Sequence, residues 1–156
     1  MKKYVLGLVV ITLLLAACSS NQRLRPQSQS SSRPNHSSMY FYMAANLQFL
    51  DGYYENAWTL YQRALNHDPG SGKIKKELLM SAMYHHLQQP SADADKIKNL
   101  VSSNKSFISE DDELLDAAYG FYSALRDTSS QRWALDTMLE NHPSARAHVL
   151  NFLYSY

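Results

Sequence analysis

The 156-residue chain has a single cysteine, Cys18, so no internal disulfide can hold it together. Glycine and proline number only five each, which argues against turn-rich or collagen-like architectures and suits helices. Neither sign of charge dominates: 15 Lys and Arg face 14 Asp and Glu, for a formal net charge of +1. With no basic surplus, a nucleic-acid partner is not expected. The patterns that carry chemistry are also missing. The chain has no HExxH, no cysteine pair, no EF-hand loop, no GxSxG and no glycine-rich phosphate loop. Of its six histidines, only His85 and His86 are adjacent. On a helix these two point about 100° apart and cannot clamp one metal together. The carboxylates Glu110, Asp111, Asp112 and Glu113 could imitate an acid/base pair or a cation site. They are read instead as a solvated helix start that complements the dipole. The expectation is a protein without enzymatic activity, metal or cofactor.

The only long apolar run is residues 5–15, VLGLVVITLLL, preceded by Lys2 and Lys3. That is the length of a secretory h-region and short for a membrane span. It ends in Leu15-Ala16-Ala17-Cys18, which resembles a bacterial lipobox. The resemblance implies cleavage after residue 17 and lipidation of Cys18. Removing the two lysines with residues 1–17 takes the formal charge to about −1. The alternatives for this segment are an uncleaved anchor helix, or a buried cysteine acting as a small hydrophobe. Ser19 after the cysteine resembles outer-membrane sorting, in a Gram-negative host. The expected location is the bacterial cell envelope, on the outer membrane and facing the periplasm. Residues 18–37 are almost devoid of apolar side chains and cannot offset their ordering entropy, so a disordered tether is expected.

Residues 38–69, SMYFYMAANLQFLDGYYENAWTLYQRALNHDP, read as two amphipathic helices, about 39–50 and 54–66. Ser37 or Ser38 is the expected N-cap, Gly52 supplies the turn and Pro69 stops the second helix. Gly52, Tyr54, Ala57, Tyr61, Ala64 and Pro69 stand at the positions of a tetratricopeptide repeat, which this stretch resembles. Phe41, Ala44 and Gln48 depart from that family's pattern in the first helix. Two looser hairpins follow. A helix over about 72–88 carries Ile74, Leu78, Leu79, Ala82, Met83 and Leu87 on one face. Pro90 and Ser91 break it, and a shorter helix follows with Ala92, Ala94, Ile97, Leu100 and Val101. In the third hairpin, Ser109 is the expected cap of a helix holding Leu114, Leu115, Ala118, Tyr119, Tyr122 and Leu125. Asp127-Thr128-Ser129 then turns the chain, Trp133, Ala134, Met138 and Leu139 face inward, and Pro143 ends the hairpin. Residues 144–156 place Val149, Phe152, Leu153 and Tyr156 at helical spacing, as a terminal capping helix. The expected fold class is all-α. Three such hairpins over 38–143, stacked as a short right-handed superhelix and capped by 144–156, meet the minimum for a stable solenoid.

The resemblance also implies a concave groove lined by the first helix of each hairpin. Its positions fall on Met39, Tyr42, Asn46 and Phe49, then on Lys73, Lys76, Met80 and Met83. Tyrosine and methionine offer adaptable apolar contact, asparagine bonds a peptide backbone and lysine attracts a carboxylate. Tyr42 stands where a carboxylate-clamp lysine is expected, so a reader of C-terminal carboxylates is not implied. The expected function is a lipid-anchored docking module for a protein or peptide, in an envelope, secretion or pilus system. The alternatives are an accessory subunit that docks, or self-associates, through its apolar C-terminal helix, and the front part of a longer repeat protein.

Overall fold

A computed structural model describes residues 36–90 and 93–154. The expected signal segment, Cys18, the tether up to residue 35, Ser91, Ala92 and Tyr156 lie outside the described residues. Among those described, the chain is all-α: α1 His36–Leu50, α2 Tyr54–His67, α3 Gly72–Gln88, α4 Ala94–Ser103, α5 Lys105–Ile108, α6 Asp112–Ala124, α7 Thr128–Asn141 and α8 Ala145–Tyr154. None of these helices is long and apolar enough to cross a membrane.

α1 and α2 run antiparallel. Ser38 Oγ donates to the Ala64 carbonyl at 3.0 Å, and Tyr61 OH to Asn46 Oδ1 at 2.6 Å. Near the turn, Asn56 Nδ2 donates to Gln48 Oε1. The fully buried Ala45, Ala57 and Ala64 let the two backbones approach. Ser38 is therefore a buried tie between helices and not the expected N-cap; α1 already includes His36. Gly52 makes the turn at φ +80°, where a Cβ would meet nothing within 4 Å. Gly52→Ala should thus cost about 1–2 kcal/mol through backbone strain alone. Thermal unfolding checks this, and an unchanged Tm would contradict the left-handed turn.

α3 is the centre of the structure. It buries Ile74, Leu78, Leu79, Ala82 and Met83 together with Ser81, His85 and His86. α2 packs on it through Trp58 against His85 and Tyr54 against Tyr84. α6 lies alongside and runs parallel to it. Lys76 pairs with Asp111 and His86 meets Phe121, each pair 35 residues apart. α1 meets α3 through Phe49 against Tyr84, also 35 residues apart, and through Tyr42 against Lys73, 31 apart.

The caps of the later helices differ from expectation. Ser109 closes the one-turn helix α5, while Asp111 caps α6 by accepting from the Leu114 N–H. A carboxylate is the stronger acceptor there and suits the positive end of the helix. Asp127 is likewise the N-cap of α7, which starts at Thr128, and the sharp bend falls on Arg126 at φ 55°. Ala134, Leu135 and Met138 are buried on α7, with Trp133 and Leu139 half-buried. α8 buries Ala147 but leaves Val149, Phe152 and Leu153 exposed.

Two aspartates tie hairpins together. Asp127 receives Lys98 Nζ at 2.8 Å, the Ser130 N–H and the Ser129 hydroxyl, and these hold its carboxyl far below the usual carboxylate range. Burial pushes Asp111 upward, but bonds from Lys76 and the Leu114 N–H outweigh it, and the net shift is downward. In this window the unfolded chain binds the extra protons, so stability rises with pH. This contribution is complete above the unfolded aspartate value of about 3.9 and fades as pH falls through the lower folded values. Urea midpoints should therefore drop steeply below about pH 4. Asp127→Asn should flatten that drop; a variant as acid-sensitive as the parent would contradict the linkage.

Candidate functional site

The face shared by α1, α3, α6 and α8 holds an open hollow of about 460 Å³. Its apolar wall is Phe49, Met80 and Tyr84, with Met138 behind. Phe49 stands edge-on to both Tyr54 and Tyr84, at 5.2 and 5.9 Å between ring centroids, so the aromatic wall is braced from two helices. Across from it the first turns of α6 present Asp112, Glu113 and Asp116, and α8 sends in Arg146. Arg146 pairs with Asp116 at 2.9 Å. Lys76 lies between Asp111 and Glu113, 2.7 Å from each, and these two bonds hold its ammonium well above the usual lysine value. Three carboxylates thus face one guanidinium in the lining, and Lys76 and Asp111 at its edge cancel each other. The surplus is negative. His142 completes the rim, and its enclosed Nε2 makes no hydrogen bond within the protein.

A second, smaller hollow of about 230 Å³ lies between the start of α1 and the α2–α3 loop. Met39, Tyr42 and Lys73 meet there. Lys73 Nζ rests 5.3 Å from the Tyr42 ring centroid, within cation–π range.

The eight groove positions read from the sequence therefore divide. Met39, Tyr42 and Lys73 share the smaller hollow, and Phe49 and Met80 share the larger. Asn46 is spent inside the protein as the acceptor for Tyr61 OH. Lys76 is neutralised by its two carboxylates and is not free to attract one from a ligand. Met83 is fully buried in the core, so its assignment to the groove is corrected.

Met83 shares the inward face of α3 with Leu79, Ala82 and His86, and the next residue, Tyr84, about 100° further round, meets Phe49 instead. Glu77 lies near Lys73 and Lys76, and burial raises its half-buried carboxyl although both lysines pull it down. The sequence reading also missed Asp112, Glu113 and Asp116 as lining residues, because an acidic helix start has the same composition whether it faces solvent or a cleft. Arg146 carried no local signal.

Among the described residues no three His, Cys, Asp or Glu side chains converge as a metal would require. No family model, curated protein or solved structure matches the chain.

Proposed function

We propose that this protein is a non-enzymatic docking module of tetratricopeptide-repeat type, hung from the bacterial outer membrane by lipid on Cys18 and facing the periplasm. The observation that carries the proposal is the larger hollow, where an aromatic and methionine wall faces a surplus of carboxylate. Such a surface supports capture of an extended or helical protein segment bearing apolar side chains next to Lys or Arg. The parallel α3 and α6, whose contacts fall 35 residues apart, support stacked repeats of a right-handed superhelix. The single cysteine behind an apolar run supports the anchor. The role that follows is that of an adaptor or assembly factor in an envelope, secretion or pilus system.

A photo-crosslinking amino acid placed at Met80 in the full-length chain, in intact cells, tests the groove. It should trap a discrete partner, and Glu113→Lys with Asp116→Lys should weaken that capture at least tenfold. Equal capture after the charge reversal would sink the groove. A second reading, an accessory subunit docking through α8, is favoured by one observation: Val149, Phe152 and Leu153 are all more than half exposed. Phe152→Glu with Leu153→Glu discriminates, because only that reading loses the partner.

A further inference from the structure

α1 is apolar on two faces. One packs toward α2 with the buried Ser38 and Ala45 and the half-buried Phe41, Tyr42 and Phe49. The other carries Met39, Tyr40, Met43, Leu47 and Leu50, all exposed, from 52 % at Met39 to 81 % at Leu50. At 100° per residue these five side chains fall within a stripe about 100° wide, the width of a buried helical face. Nothing among the described residues covers it. The centre of the stripe lies roughly 120° around the helix from Tyr42 and Phe49, away from the larger hollow, and only Met39, at its edge, also lines the smaller one.

We propose that this stripe is a self-association surface on which two copies of the chain pair α1 against α1. The spacing selects a helix as occupant. Tyr40, Met43, Leu47 and Leu50 step by three, four and three residues, the seam that a facing helix fills with knobs. A bilayer surface fits less well, since interfacial helices carry Lys or Arg beside the apolar face and α1 has neither. The charge pattern selects a second copy. α1 contains no Asp, Glu, Lys or Arg, so two such helices meet without like-charge repulsion. No flanking ion pairs are present to specify a different partner.

The five exposed side chains offer on the order of 600 Å² per copy, about three quarters of the ~800 Å² each partner contributes to a standard interface. A two-fold antiparallel pairing sets Met43 of each copy against Leu47 of the other, with both tyrosine-bearing ends at the rim.

Two differently tagged full-length copies, co-expressed in cells, test this. With benzoylphenylalanine at position 40, irradiation should yield a crosslinked species carrying both tags. Met43→Glu in both copies should cut that product at least tenfold while circular dichroism keeps its helix content. Pairing a Met43→Glu copy with a Leu47→Lys copy should restore it. Leu50→Glu, at the most exposed position, supplies a second disruption should the first variant unfold. Crosslinks only to lipid, only to another protein, or none between copies would overturn the proposal. A groove failure shows instead at the Met80 probe and leaves this product intact.

Discussion

Phe121→Ala should lower the unfolding free energy by about 3–5 kcal/mol, near the top of the range for a single side chain. Phe121 is fully buried on α6. Its ring meets the edge of His86 on α3 at 5.1 Å and lies 5.3 Å from Tyr122. Truncation removes contacts across the α3–α6 seam. The gap cannot close easily, because α3 is fixed by α2 on one side and α6 by α7 on the other. Small domains have about 5–15 kcal/mol in total, so a third or more of the stability is at stake. In urea the midpoint should fall by more than about 1 M with the slope unchanged. Phe152→Ala is the control: its ring is 60 % exposed on α8, and the change should stay within about 0.5 kcal/mol. A Phe121 variant as mild as the Phe152 one would mean that α3 and α6 do not pack as described.

The helices were legible because apolar spacing and punctuation agree. Ile74, Leu78, Leu79, Ala82 and Met83 recur on one face of the 72–88 segment, and α3 spans those residues. Gly52 and Pro69 mark turns on either side of α2 because each restricts or frees the backbone locally. The caps were less legible. Ser109 and Asp111 are both good N-caps two residues apart, and only the position of the Leu114 N–H decides between them. Phe49 and Met80, both read as groove positions, line the larger hollow. Which α3 residues face it is set by how α3 packs between α2 and α6, against Trp58 and Phe121. The ion pairs were not legible at all: Arg146 with Asp116, and Lys98 with Asp127, join segments about 30 positions apart. No local pattern in the sequence encodes such a pairing.

On α3 the adjacent Met83 and Tyr84 should behave oppositely. Met83→Ala should destabilise the protein by about 2–5 kcal/mol, since the side chain is fully buried among core neighbours. Tyr84→Ala should cost far less stability, because the ring is only half-buried and stands against Phe49 and Tyr54 at the edge of the hollow. Its effect should fall on binding instead. Losing an aromatic anchor from an interface commonly costs 2 kcal/mol or more, about a thirtyfold weaker complex. Removing Tyr84 also frees Phe49 to move, so the apolar wall loses shape as well as area. Measuring urea midpoints and partner capture side by side separates the two effects. Met83→Ala protein that is still folded at low temperature should capture its partner normally, while Tyr84→Ala should be folded and deficient. The reverse pattern, a stable Met83 variant that no longer binds, would place Met83 in the docking surface and remove the hollow at Tyr84 as that site.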